Sequence, residues 1–214
     1  INMSDEVNLE LSIVRAFGPT IGITNIPDLI IKKLNAFVDN EVDKNLELAK
    51  NLDHGNKLAG QVKQEIVIPR EIIEPELFSF LLNVTKHFVK TGRGKDITKF
   101  EIINAWIVRQ FENEYNPIHY HNGHISGAGY IMLPDSFGES IQKTKVNNVN
   151  GHINFSYGVR QFMNNGHISY KPKIGDFYIF PNYLYHSVNP FFGPGERRSI
   201  SFNALIDDKI YNVY

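Results

Sequence analysis

Two histidines two residues apart, His119 and His121, are the pattern in this 214-residue sequence that first suggests chemistry. Alternate residues of a β-strand project from one face, so both imidazoles could reach a single metal ion. His186 follows much later, at the edge of a strongly aromatic segment. The chain contains no cysteine, so a metal would need His, Asp, Glu or water as ligands. The alternative is that the pair marks a solvated strand end and that His186 is an ordinary hydrogen-bonded edge residue.

A second candidate group, Arg197 and Ser199, lies shortly after His186. A strand here would bring both side chains to the same face, and both are donors suited to a carboxylate. Arginine makes such contacts bidentately and keeps its charge. The pattern therefore predicts a metal site and an anion pocket side by side in the mouth of a barrel. The alternative is a surface arginine pair after a Gly-Pro-Gly turn.

The elements that must position these residues change in type along the chain. Apolar periodicity predicts helices over residues 28–38 and 75–89, and the polar stretch 46–64 is interpreted as a helix end plus loop. Short strands separated by Gly, Pro and Asn, typical of an antiparallel sandwich or jelly roll, are predicted at residues 102–111, 126–133, 152–156, 175–180 and 199–206. The polar segment 135–150 is long for a connection and is a candidate flap over the site.

Composition excludes several classes of protein. The formal net charge is −1, with 42% hydrophobic and 21% charged residues, so the chain is globular and has no global basic field for nucleic acid. No window approaches the length of a membrane span, and no signal-peptide pattern opens the sequence, so we expect no membrane partner and a cytoplasmic location. Serine-nucleophile, phosphate-loop and His-Glu-x-x-His motifs are also absent.

From Trp106 to Asn203 the sequence resembles the 2-oxoglutarate and iron(II)-dependent oxygenases, closest to their prolyl-hydroxylase-like branch. Predicted helices followed by predicted strands indicate an α+β chain, and the resemblance implies a single domain over residues 1–214. Its double-stranded β-helix (jelly-roll) core would run from about residue 100 to 214, with residues 1–99 as mainly helical support. It also implies iron(II), 2-oxoglutarate and O2 as cofactor and cosubstrates. Under this resemblance His119, His121 and His186 correspond to the metal ligands, and Arg197, Ser199 and Tyr130 to the residues that bind 2-oxoglutarate.

The sequence departs from the family pattern at His121, where the family has Asp. Three histidines would keep the ligand count but raise the charge of the site by one unit, which favours copper, nickel or zinc over iron(II). In a second arrangement only His121 and His186 bind, and Asn122 or water completes the sphere. In a third, His119 orients His121 rather than binding the metal. We prefer the first arrangement.

The activity implied by the resemblance is hydroxylation of a peptidyl substrate, such as a prolyl residue, or of a small molecule, with release of succinate and CO2. Nucleic acid is disfavoured as a partner because no basic stripe is interleaved with aromatic residues. One alternative is a cupin-like metal-binding protein without 2-oxoglutarate chemistry, and another is an inactive scaffold of the same fold. Aromatic residues near His186 would wall the site: Tyr178, Phe180, Tyr183, Tyr185, Phe191 and Phe192. The sequence indicates no oligomeric state.

Overall fold

The computed structural model describes residues 10–14 and 18–212 of the chain. Its α-helices are α1 (Asp28–Phe37), α2 (Leu46–Leu52), α3 (Arg70–Ile73), α4 (Glu76–Arg93) and α5 (Asp208–Tyr211). Its strands are β1 (Ser12–Val14), β2 (Ile21–Asn25), β3 (Gln64–Val67), β4 (Phe100–Gln110), β5 (Asn116–His119), β6 (Ile125–Met132), β7 (Ile153–Ser156), β8 (His167–Tyr170), β9 (Asp176–Pro181), β10 (Tyr185–Val188) and β11 (Arg197–Ile206).

The strands form two antiparallel sheets. The larger sheet has the order β1-β2-β9-β6-β11-β4-β3, and the smaller sheet has the order β5-β10-β7-β8. From β4 onward, consecutive strands alternate between the two sheets in the manner of a jelly roll, except that β7 and β8 pair with each other within the smaller sheet. The predicted α+β fold with a double-stranded β-helix core is therefore confirmed.

Three strands come from the half of the chain that the sequence predicts to be mainly helical. β1 and β2 extend one edge of the larger sheet through β9, and β3 forms its other edge by pairing with β4. β3 lies at the end of the polar stretch interpreted as a loop. Only two of its four residues, Ile66 and Val67, favour strands, and the hydrogen bonds to β4 decide its conformation.

Alternate residues of β11 lie on opposite faces of the larger sheet, one face in the apolar core and the other lining a cavity. Ile200, Phe202 and Ala204 belong to the main apolar core, which includes buried residues of α1 and α4. Arg197, Ser199, Ser201 and Asn203, on the other face, line a cavity between the two sheets. The period of two in an extended strand explains why one segment serves both purposes.

The two predicted helices are confirmed, with α4 extending one turn further than the periodicity indicates. α4 ends where Gly94 adopts a left-handed conformation (φ 68°) and donates its N–H to the carbonyl of Lys90, a common way to stop a helix. Within residues 10–14 and 18–212, no helix combines the length and apolarity needed to cross a bilayer.

Candidate metal centre

The three predicted histidines meet in one cluster. β10 pairs with β5 so that His186 lies opposite His119, while His121 follows β5 by two residues. One ring nitrogen of each histidine lies within 4.8 Å of the others. Nε2 of His121 and Nε2 of His186 are 3.0 Å apart, the separation of two adjacent ligands that each lie about 2.1 Å from one ion. The donor set therefore fits a metal.

Backbone carbonyls fix the orientation of two of these rings. Nδ1–H of His119 donates to the carbonyl of Pro117 at 2.7 Å, and Nδ1–H of His186 donates to the carbonyl of Leu184 at 2.9 Å. A carbonyl can only accept, so Nδ1 carries the proton and Nε2 keeps its lone pair. This is the arrangement that orients metal-binding histidines in general.

The same surroundings keep the imidazoles neutral. Burial lowers the pKa of His121 to about 3, with a smaller contribution from His119. Burial also holds the pKa of His186 well below its usual value, and that of His119 is lowered for the same reason. Neutral imidazole is the form that binds a metal, so the cluster is ready to bind at neutral pH.

Asn182 holds the segment that carries His121, and sequence reasoning missed this residue. The backbone N–H of His121 donates to the Asn182 carbonyl at 2.9 Å, and Nδ2 of Asn182 donates to the His121 carbonyl at 3.1 Å. The ring of Trp106 lies edge-on to His121, with centroids 5.6 Å apart. In the sequence, the only local signal for this role of Asn182 is its position directly after Pro181, the last residue of β9.

Arg197 and Ser199 line the same cavity as the three histidines. Arg197 is 2% exposed, and its Nη1 donates to Oε1 of Gln110 at 2.9 Å. Its Nε is buried and has no hydrogen-bond partner in the described part of the chain. A buried guanidinium with an unused donor fits a carboxylate ligand such as that of 2-oxoglutarate.

Tyr130 lies behind Arg197 rather than on the cavity wall. It is fully buried, is not among the described residues that line the cavity, and lies with its ring centroid 4.6 Å from the Arg197 guanidinium carbon. Its hydroxyl has no hydrogen bond with good geometry among the described residues, and burial raises its pKa. In this arrangement Tyr130 supports Arg197 through a cation–π contact.

The cavity has a volume of about 420 Å³. Four of the residues that line it come from the segment before β3: His54, Lys57, Leu58 and Ala59. The segment 135–150, predicted to be a flap over the site, contributes no residue to this lining. The six aromatic residues predicted to wall the site do not line it either. Trp106 and Tyr120 do, while Phe180 packs edge-on against the His186 ring from the core at 4.9 Å between centroids.

A buried ion cluster anchors the start of β11. Glu196 accepts hydrogen bonds from Arg109 and from Arg198, and Asp43 also pairs with Arg109. The two arginines hold the pKa of Glu196 at about 2 in spite of its burial. Because Arg197 lies between Glu196 and Arg198, this cluster fixes the backbone that carries the Arg197 side chain.

His124 lies apart from the cluster. Its Nδ1 accepts the backbone N–H of Ile206 at 3.1 Å, and its ring stacks on Tyr211 with centroids 3.9 Å apart. Gly123 turns the chain with φ 87°, and a side chain at that position would meet the Ala204 carbonyl oxygen at 3.0 Å. His124 therefore connects the end of β11 to α5.

Residues 104–203 match the family model described as "Putative 2OG-Fe(II) oxygenase". The jelly roll of this chain is a 2OG-Fe(II) oxygenase fold. The resemblance of this region to the 2OG-Fe(II) oxygenases is therefore confirmed, and several solved structures with a similar fold are prolyl hydroxylases. No curated protein sequence matches the chain significantly.

Three solved structures show how far the likeness to 2OG-Fe(II) oxygenases extends. The prolyl hydroxylase of Trichoplax adhaerens, in complex with a peptide of the hypoxia inducible factor oxygen degradation domain, has a TM-score of 0.54 at 14% identity, covering 88% of this chain and 84% of that one. The viral collagen prolyl hydroxylase of Paramecium bursaria Chlorella virus-1, in complex with 2OG, scores 0.52 at 13% identity over 86% and 94%. A prolyl-4-hydroxylase of Pseudomonas putida scores 0.50 at 14% identity over 93% and 92%. At sequence identities of 13–14%, these comparisons establish that the fold is shared and nothing beyond the fold.

Proposed function

We propose that this protein is an iron(II)- and 2-oxoglutarate-dependent dioxygenase that hydroxylates a peptidyl or small-molecule substrate and releases succinate and CO2. The observation that carries the proposal is the presence of the three-histidine cluster and the buried Arg197–Ser199 pair in one cavity. A metal ion alone needs no fixed guanidinium beside it, and an anion pocket alone needs no converging imidazoles. The combination suits a chelating dicarboxylate.

His119, His121 and His186 would hold the iron. When bound, iron(II) supplies the means to couple oxidative decarboxylation of 2-oxoglutarate by O2 to hydroxylation of a C–H bond. The histidines themselves are neutral, so the metal site carries the full charge of the ion. Arg197 would balance one of the two carboxylates of 2-oxoglutarate, so a site with three histidines would keep one positive charge more than the usual set of two histidines and one carboxylate. That extra charge weakens the preference for iron(II) over copper, nickel or zinc.

Arg197 and Ser199 would bind the distal carboxylate of 2-oxoglutarate. Gln110 occupies one Nη of Arg197 and leaves Nε unpartnered, so the guanidinium is oriented before the ligand arrives. Such preorganisation reduces the entropy lost on binding. Tyr130, which the family resemblance assigns to the same ligand, would contribute through its contact with Arg197.

A peptidyl substrate is the leading proposal, and a prolyl residue is its most specific form. The support is that the Trichoplax adhaerens structure is a prolyl hydroxylase in complex with a peptide fragment and that the viral structure is a collagen prolyl hydroxylase. A similar fold does not by itself establish that two proteins share a substrate. A small molecule that enters the 420 Å³ cavity is the second candidate.

The experiment that tests the proposal is an anaerobic titration with iron(II) and then 2-oxoglutarate, followed by the visible charge-transfer band of the chelate. A band at one equivalent supports the metal and cosubstrate assignments. Metal binding without a band would favour the cupin-like alternative, and absence of metal binding would favour an inactive scaffold. Arg197→Ala should weaken 2-oxoglutarate binding by about 2–5 kcal/mol, whereas the exposed control Arg160→Ala should not.

A further inference from the structure

Glu65 is a buried carboxylate that the proposed mechanism does not use. It lies on β3, is 1% exposed and lines the cavity that holds the three histidines. Its Oε2 is buried without a hydrogen-bond partner among the described residues. Leaving a buried carboxylate oxygen unpaired costs free energy, so a ligand that pairs with it would bind with a corresponding gain.

The register of the larger sheet places Glu65 at a defined distance from the anion-binding residues. Glu65 lies opposite Val108, and Val108 lies opposite Ser199, so the three residues form one row across β3, β4 and β11. Neighbouring strands are about 4.8 Å apart, which puts the Cα atoms of Glu65 and Ser199 about 10 Å apart. The cavity therefore has a cationic end at Arg197 and an acidic end at Glu65.

The groups around Glu65 do not neutralise it. Asp53 lies behind it and accepts the backbone N–H groups of Gly55 and Glu65, adding a second negative charge. Burial, followed by Asp53, raises the pKa of Glu65 to about 7. His54 and Lys57 line the same cavity, but Lys57 is exposed, and no ion pair joins either residue to Glu65 in the described part of the chain.

A second unpartnered acceptor lines the same cavity. Asn116, at the start of β5, has a buried Oδ1 without a hydrogen bond among residues 10–14 and 18–212. Backbone hydrogen bonds in both directions between Gln61 and Tyr115, 2.9 and 3.2 Å long, join the chain just before β3 to the chain just before β5. This bridge draws together the edges that carry Glu65 and Asn116.

We propose that the Glu65 end of the cavity binds a cationic group of the substrate, an ammonium or a guanidinium, while Arg197 and Ser199 hold the carboxylate of 2-oxoglutarate. The inference rests on the proposed function, because it assigns the second end of the same cavity to the substrate. A cation would supply the charge and the donors that Glu65 and Asn116 lack. The substrate would accordingly be a basic amino acid or a peptide containing one.

Calorimetric binding to the protein loaded anaerobically with iron(II) and 2-oxoglutarate tests this assignment. The probes are N-acetyl-lysine methylamide, N-acetyl-arginine methylamide and the neutral N-acetyl-norleucine methylamide. We expect at least one cationic probe to bind about tenfold or more tightly than the neutral one. Glu65→Gln should remove that preference, and Glu112→Gln, which removes an exposed carboxylate of equal charge, should keep it. Comparison of the two cationic probes distinguishes ammonium from guanidinium.

Three outcomes would overturn the inference: equal affinity for charged and neutral probes, an unchanged preference in a folded Glu65→Gln variant, or no binding of any probe at millimolar concentration. The comparison of probes on the unmodified protein remains decisive if Glu65→Gln fails to fold. Failure of the proposed function is separate, because it appears earlier as a missing charge-transfer band. Without that band, the same probes are titrated into the unloaded protein, where a cation preference that depends on Glu65 would still support the acidic end.

Discussion

Gln110 and Arg197 face each other across the β4–β11 pair, and Oε1 of Gln110 accepts a hydrogen bond from Nη1 of Arg197 at 2.9 Å. Nε2 of Gln110 in turn donates to the carbonyl of Glu114 at 2.6 Å and to that of Asn189 at 3.3 Å. The fully buried amide thus connects the guanidinium to two loops, and both ends of its side chain are held.

Gln110→Ala should therefore weaken 2-oxoglutarate binding without affecting the metal. Without Gln110 the guanidinium would have to be ordered when the ligand binds, which should cost about 0.5–1.5 kcal/mol of affinity. The charge-transfer titration measures the cosubstrate affinity, and iron analysis of the same sample measures the metal. The exposed Gln142→Ala is the matched control. Unchanged 2-oxoglutarate affinity would show that Gln110 does not position Arg197.

His186→Ala should abolish stoichiometric metal binding. His186 contributes Nε2 at 3.0 Å from that of His121, and removing it leaves at most two imidazoles at the site. Metal content after dialysis measures the effect, with the exposed His87→Ala on α4 as the control. A His186→Ala variant that retains one equivalent of metal would remove this residue from the site.

His121→Asp tests the departure from the family pattern. The change would give the site two histidines and one carboxylate, the usual set for iron(II) in oxygenases. We expect iron(II) affinity to be kept or increased, and affinity for copper and zinc relative to iron to fall. Competition titrations between the metals measure the ratio. Loss of iron(II) binding in the folded variant would mean that imidazole is required at this position.

Glu65→Gln should change how stability depends on pH. The folded pKa of about 7 lies above the ordinary value of 4.5, so the folded state binds the proton more tightly than the unfolded state does. That stabilisation is fully present below pH 4.5 and is lost as the pH rises through 7. The wild-type free energy of unfolding should fall, relative to Glu65→Gln, by on the order of 2 kcal/mol between pH 5 and 8.

Urea unfolding of both proteins at the two pH values measures this difference. Glu112→Gln serves as the control for a change of net charge at an exposed site. Parallel pH profiles for wild type and Glu65→Gln would contradict the raised pKa of Glu65.

Glu196→Gln should destabilise the protein. It should also weaken 2-oxoglutarate binding, because Glu196 directly precedes Arg197 at the start of β11. The substitution leaves Arg109 and Arg198 buried, with side chains 8% and 2% exposed, and takes away the charge that pairs with both. Breaking a buried ion pair in this way costs about 3–5 kcal/mol. Thermal unfolding and the 2-oxoglutarate titration together measure the effect, and a loss below about 1 kcal/mol would mean that Asp43 and Asp39 compensate.

The same carboxylate sets an acid limit for stability. The pKa of Glu196 is lowered from 4.5 to about 2, so its contribution is complete above pH 4.5 and is lost as the pH falls toward 2. Between pH 5 and pH 2.5 the wild-type protein should lose more stability than Glu196→Gln does. Urea unfolding at these two pH values checks the sign.

The sequence by itself determined the features that depend on local periodicity. The period of two on β11 predicts that Arg197 and Ser199 share a face, and both line the cavity. The apolar periodicity of residues 28–38 and 75–89 predicts α1 and α4. Strand punctuation by Gly, Pro and Asn predicts the jelly roll. Each of these follows from interactions between residues a few positions apart, which the order of side chains specifies directly.

Tertiary structure decided which distant segments meet. Only the pairing of β10 with β5 brings His186 to His119, and only the pairing of β3 with β4 carries Glu65 into the same cavity. It also placed Tyr130 behind Arg197 and left the segment 135–150 outside the cavity lining. Pairing between strands far apart in sequence depends on the burial and hydrogen bonding of the whole sheet, and no local pattern encodes that choice.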